Sequence, residues 1–268
     1  MKKSTFIIFI LTLFSCEKAI DWKFYPSENQ YIVVESIITN ENSNKEVKIN
    51  YSAQNLNEKP QPVFGAEVIV SDGFNEYTFT EADSGIYISD NKLVAVVNRI
   101  YTLTIIIEEK TYTAVSAMVP VNDFEPISYS YTDDSSCRFS STPSQFLPDE
   151  NSMYKITIDY SNLPEYTDSS YYQTHKIVYY YSLSSIDVPE IFAPDAEKLT
   201  FPRGSIITER KYSLTPQHAD FMRSMLLETS WRGGVFDVEH GNVTTNLSEG
   251  ALGYFGACSV IQKSFVAE

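Results

Sequence analysis

Gly250, Gly253 and Gly256 stand three residues apart in GALGYFGACSV, near the end of the chain, and that spacing raises the chemistry of a phosphate-cradling loop. Such a loop needs a strand before it and a helix N-terminus after it, so that amides and helix dipole converge on the anion. Here the glycines follow a helical stretch and a loop and run into the alternating IQKSFV. They are read instead as places where the backbone turns or meets a neighbour closely while Leu252, Tyr254 and Phe255 dock into a core.

The remaining reactive residue types form no catalytic constellation in the sequence. There is no GxSxG, no HExxH and no P-loop. His175, His218 and His240 lie far apart, without carboxylate or cysteine company at ligand spacing. His175 is expected to hydrogen-bond at a sheet face, and His218, in a first helical turn, to be solvated. The acidic clusters at Asp133-Asp134 and from Asp187 to Glu197 lack the alternating acids and fixed glycine of a calcium loop, so solvated loops are expected. Neither a metal nor a cofactor is expected, and the chain is not read as an enzyme. Aromatic side chains offer binding chemistry instead. Alternation places Tyr171, Tyr179 and Tyr181 on one strand face and Tyr172 and Tyr180 on the other, which suits either a ligand or partner surface or a sheet packed on both sides.

The chain opens MKKSTFIIFILTLFSC. Its apolar run is about half of the roughly 20 residues that span a bilayer, so it is read as a signal-peptide core over residues 1–15. The ending Leu13-Phe14-Ser15-Cys16 resembles a bacterial lipobox, whose cysteine is diacylated after the signal is cut before it. Two or three buried acyl chains anchor durably, since each methylene contributes about 0.8 kcal/mol. Cys16 is therefore the expected lipidation site and residues 16–30 a tether. Glu17 and Asp21 are a diluted form of the acidic export signal of Bacteroidetes-type lipoproteins, which favours the outer membrane and, of its two faces, the cell surface.

The 268 residues carry a net charge of −15, which excludes a nucleic-acid partner or a basic membrane-binding patch as the main business of the chain. Beyond Cys16, Cys137 and Cys258 remain. In an oxidising compartment they either pair, closing a long loop worth roughly 3–5 kcal/mol, or stay as two buried thiols; pairing requires Cys258 to lie near Cys137.

The elements that must position these groups are mostly strands. YIVVESIIT (31–39) is apolar on both faces, as a central strand would be. Alternation at Val47, Ile49 and Tyr51, turns at Asp72-Gly73 and Asp83-Ser84-Gly85, and a pair around Glu108-Glu109-Lys110 follow without an intervening helix. The expected fold is mainly β: an immunoglobulin-like or prealbumin-like β-sandwich over 31–120, a linker or long loop over 121–151, and a second β-rich domain over 152–268. That second part holds one helix, about 216–230, capped by Thr215 and opened by Pro216, with Phe221, Met222, Met225 and Leu226 as its apolar stripe.

With these segments in place the mature chain resembles a family of Bacteroidetes lipoproteins, the domain of unknown function catalogued as 4249. The matching segments are Cys16, YIVVESIITNE, PVFGAEVIVSDGFNEYTFTEADSGIYIS, YTLTI and KYSLTPQHADFMRSMLLETSWRGGVFD with GNVTTNLSEGALGYFGACSV. Asn98-Arg99 stands where relatives tend to have glycine, and Glu239-His240 replaces prolines. The resemblance implies an accessory or binding lipoprotein acting with a TonB-dependent outer-membrane transporter. The alternative is a structural adhesin or envelope-assembly subunit with no transport role.

Overall fold

The computed structural model describes residues 30–55, 58–191, 199–233, 241 and 243–268. Cys16, the tether up to residue 29 and His240 lie outside the described residues. The chain is mainly β. Its largest sheet collects β1 (Ile32–Thr39), β2 (Glu46–Tyr51), β3 (Glu67–Ser71), β4 (Glu76–Asp83), β5 (Ile86–Ser89), β6 (Ile100–Ile107) and β7 (Lys110–Ala117). Alternating burial along these strands points Val34, Ile49, Val68, Val70, Leu103 and Ile105 into one core, which drives the pleated surface to fold over on itself.

The eighth strand comes from the far end of the sequence. β14 (Ala251–Cys258) pairs in parallel with β1, from Ile32 opposite Ala251 to Thr39 opposite Cys258, giving the order β14-β1-β2-β5-β4-β3-β6-β7. β1 is therefore paired along both edges, yet only one of its faces is fully buried, since Glu35 and Ile37 on the other are exposed. The ends of the sheet meet: Asn246 Nδ2 donates to Val115 O at 3.0 Å and to Phe255 O at 2.8 Å, while its Oδ1 accepts from Phe255 N. Ala257 N donates to Ser116 Oγ at 3.0 Å. Side chains thus do along this seam what a regular ladder does elsewhere. Residues 251–258 accordingly extend the first sheet and not the second β-rich part in which they were expected, and the chain breaks at Ser259 before its last strand.

Beyond the break β15 (Val260–Val266) joins β10 (Ser152–Asp159), β11 (His175–Ser182) and β13 (Ile206–Ser213) in a second sheet, of order β11-β10-β13-β15. One face carries Ile156, Ile158 and Ile207 and is covered by a small sheet of β8 (Tyr129–Tyr131), β9 (Ser136–Phe139) and β12 (Thr200–Pro202). The stretch 121–151, expected as a linker or long loop, is thus in part a structural layer. Phe124, Ile127 and Cys137 of this stretch are buried, while Tyr131 and Phe146 stay exposed, and the buried positions are too irregularly spaced to give a periodic signal.

The expected helix is α3 (Pro216–Glu228), preceded by the short α1 (Tyr171–Thr174) and α2 (Val188–Ile191). Thr215 Oγ1 accepts from His218 N at 3.2 Å, capping the first turn of α3. The helix is wedged between the sheets. Met222, Leu226 and Leu227 pack with Met153, Tyr212 and Val260 of the second sheet, while its first turn lies on β14.

Two glycines make β14 possible. Gly253 has φ +92, and a Cβ there would run into the carbonyl of Val34 on β1; at Gly256 a Cβ would sit 2.6 Å from His218 Cε1 on α3. At Asn98 φ is 65, a left-handed conformation that asparagine tolerates better than most side chains. Gly253→Ala should leave little folded protein, because both the φ and the contact are forbidden, while Gly73→Ala, with open space around it, should cost about 1 kcal/mol. Asn246→Ala should cost about 1–3 kcal/mol through the seam groups it orphans. Denaturant titrations of the three variants check this order.

Candidate functional site

The sharpest chemical pairing in the described residues is one that the sequence separates by forty positions. Cys258 Sγ lies 3.6 Å from His218 Nδ1, and the imidazole stacks on Tyr254 with centroids 4.4 Å apart. This corrects the expectation of a solvated His218, which is 2% exposed. Its helix turn faces β14, and the missing side chain of Gly256 leaves the space it fills. Burial pushes His218 down to about 4 and Cys258 up to about 12. A thiolate is the reactive form of cysteine, and neither partner favours one here. The pair is a packed joint and not a nucleophile with its base.

Of the two alternatives open for Cys137 and Cys258, the structure has the two buried thiols and not the disulfide. Both are free and buried, Cys137 among Ile156, Phe201 and Ala267 and Cys258 among Tyr212, Met222 and Val260, in different cores. The second sheet separates them.

Of the tyrosines expected on one face, Tyr179 and Tyr181 share it and Tyr171 does not. Tyr171 belongs to α1, where its ring stacks on His175 at 3.9 Å. His175 also faces Asp159 at 3.3 Å, its Nε2 towards Oδ1, so its role is the sheet-face contact expected. Burial opposes ionisation of Asp159, yet the amide and hydroxyl of Ser161 and the imidazole hold its carboxyl below the usual range. Tyr172 is almost fully exposed and Tyr180 packs against the small-sheet core.

Strand register assembles the rest of this face. Tyr181, Met153, Tyr212 and Val260 form one row, lying in the core under α3; Tyr179, Lys155, Arg210 and Gln262 form the next. Burial pushes Tyr181 and Tyr212 up to about 12, with Tyr179 adding to it at Tyr181 and the Arg210 charge opposing it at Tyr212. Arg210 pairs with Glu41 and lies 5.5 Å from the Tyr212 ring centroid. Lys155, directly opposite Arg210, has no carboxylate partner among the described residues. The result is an aromatic, cationic strip on the half of the sheet that α3 leaves open. Lys155, Arg210 and Tyr212 escaped the sequence reading because strand neighbours are set by topology. Alternation in YKITIDYS would have put Lys155 on a face, though not beside which tyrosine.

The acidic clusters behave as loops and ties. Asp133 Oδ1 accepts from Ser135 N and Oγ in an exposed turn. Asp187 pairs with Arg223 on α3, and burial, aided by Asp187, raises Glu190 to about 6. Residues 192–198 of that cluster lie outside the described residues. No group of three metal-ligating side chains occurs among the described residues. A cleft of about 550 Å3 between the β3–β4 turn and residues 96–102 is rimmed by Phe74, Val96 and Ile100. Its Asp72–Arg99 pair, at 2.6 Å, is already mutually satisfied.

The buried imidazole makes stability depend on pH. Below 6.5 the unfolded His218 takes up a proton that the folded one refuses, so stability should fall between pH 6.5 and about 4, by about 3 kcal/mol in all, and then level off. Urea midpoints across that window, for wild type and His218→Gln, check the slope; the variant should lose this component. Ellman's reagent should find both Cys137 and Cys258 silent in the native protein and reactive after unfolding.

Among curated proteins nothing matches the chain. The family model described as "Domain of unknown function (DUF4249)" matches residues 17–264. That span holds every strand up to the middle of β15, the seam, the helix joint and the aromatic face, and the chain belongs to this family.

Proposed function

We propose that the protein is a lipid-anchored outer-membrane accessory or binding protein, working with a TonB-dependent transporter and without catalysis of its own. The observation that carries the reading is the arrangement of the two ends of β1. The segment with Cys16 precedes the Ile32 end of the strand, and the second sheet adjoins its Thr39 end, where Asn40 exchanges hydrogen bonds with Val260 of β15. A tether at Cys16 would therefore leave the open aromatic face of the second sheet on the side away from the lipid. The half-exposed Tyr179 on that face and Lys155, unpaired among the described residues, support binding.

A tag on the full chain should bring down a barrel protein from native membranes, and recovery of none would count heavily against the transporter. Cys16→Ser should move the protein from the membrane fraction to the soluble one. Deleting the gene should abolish uptake of one nutrient; a broad envelope defect would instead favour a structural adhesin or assembly subunit.

A further inference from the structure

The outer edge of β11 is an unfinished sheet. Tyr160 N donates to Thr174 O at 3.0 Å, and in an antiparallel ladder bonded and non-bonded pairs alternate. With the register of β10 and β11, this turns the N–H and C=O of Ile177, Tyr179 and Tyr181 away from β10, towards the free edge. The same parity holds at Leu183, whose N–H and C=O are taken by Gln145 O and Leu147 N at 2.9 and 3.0 Å. The chain's own segment 145–147 thus runs alongside this edge, parallel to it, having joined it at Ser144, whose carbonyl accepts from Ser182 Oγ. Ahead of Ser144 no described residue makes a backbone bond to the outward groups of Ile177 or Tyr179.

Edges of this kind are ordinarily blunted by charge, proline or a bulge, whereas β11 shows Ile177 and Tyr179, both nearly half exposed. The lane is also electropositive in an acidic chain. Lys155 lies behind Tyr179, in a non-bonded pair where side chains approach closely. Lys176 projects from the opposite face of β11, its Nζ bonded only to Thr200 O. Neither has a carboxylate partner among the described residues. A second copy of this chain would bring the same lysines and another −15 of charge, so self-pairing is disfavoured.

We propose that the edge of β11 receives an extended, acidic segment of a partner polypeptide, which adds a strand beside Ile177, Tyr179 and Tyr181 and directs carboxylates to Lys155 and Lys176. Main-chain bonds supply affinity and the lysines select charge. The inference rests on the reading of the chain as a binding protein, but not on the transporter.

Amide hydrogen exchange on the purified full chain tests it, with blocked peptides of repeated Glu-Glu-Val-Val as probe, which present glutamates to both faces of the sheet. Exchange at Ile177, Tyr179 and Tyr181 should slow on titration, and at β1 amides it should not change. The lysine–valine counterpart, and a glutamate–valine peptide N-methylated on its edge-facing amides, should each bind at least about tenfold more weakly. Lys155→Gln should weaken the acidic peptide about tenfold without lowering Tm, since it also removes a like charge opposite Arg210. Tyr179→Pro removes an amide that makes no bond to β10, so the sheet should survive while binding is lost; should that variant unfold, the N-methylated peptide reads the same contact. Equal binding of acidic and basic peptides overturns the proposal, as does slowing elsewhere than β11. A dimer in sedimentation that Tyr179→Pro dissolves would put a second copy in the lane and overturn it too. Co-purification of a barrel with no peptide binding removes this inference alone; peptide binding with no barrel removes the transporter alone.

Discussion

The contact between Gly253 and the backbone of Val34 is the constraint on which the rest of the protein depends. β14 lies parallel to β1, so no hairpin can place it there, and the chain passes through β10, β11, β13 and α3 before returning. Once β14 is seated, one strand serves several purposes. It closes the seam against β7, supplies Phe255 and Ala257 to the first core, and presents Tyr254 and the gap at Gly256 to α3. Ser259 then passes the chain directly into β15. The two sheets are therefore not beads on a linker but successive uses of one continuous strand path.

Where the sheets meet, polar groups are satisfied locally and charge is kept out of the apolar joint. Lys45 is buried with its ammonium bonded to Thr39 Oγ1, Ser43 Oγ and Glu41 O at 2.7–3.0 Å. Burial lowers its pKa while Glu41 works the other way. Arg210 reaches from the second sheet to Glu41 of the first, and Ser213 Oγ donates to Val119 O at 2.8 Å. His218, deeper, has no charged neighbour and stays neutral. Polar bonds thus set the relative position of the sheets, and α3 fills the remaining space with Met222, Leu226 and Leu227.

The same packing that makes the chain stable disarms its reactive groups. Cys258 and His218 approach one another only where water cannot, and Asp72, Asp187 and Glu209 spend their charge on Arg99, Arg223 and the amide of Ile127. What stays unspent lies at the margin of the second sheet: Lys155, the ring of Tyr179 and the outward backbone of β11. Groups left without partners at an edge are suited to recognition, since they exchange water for a partner without disturbing the core.

Period-two alternation, turn glycines and the Thr215-Pro216 start are local signals. They made the β class, the central place of β1, the hairpins and α3 legible from residues alone. The closure by β14, the layer formed by 121–151, the separation of Cys137 from Cys258 and the burial of His218 were not legible, because each depends on which distant segments become neighbours. Tyr179 was visible as an exposed aromatic, whereas its cationic neighbours came from β10 and β13 through register. Sequence determined which residues face one way along each strand; tertiary structure decided what stands opposite them, since strand order is set by the burial of a shared core and not by any one strand's own pattern.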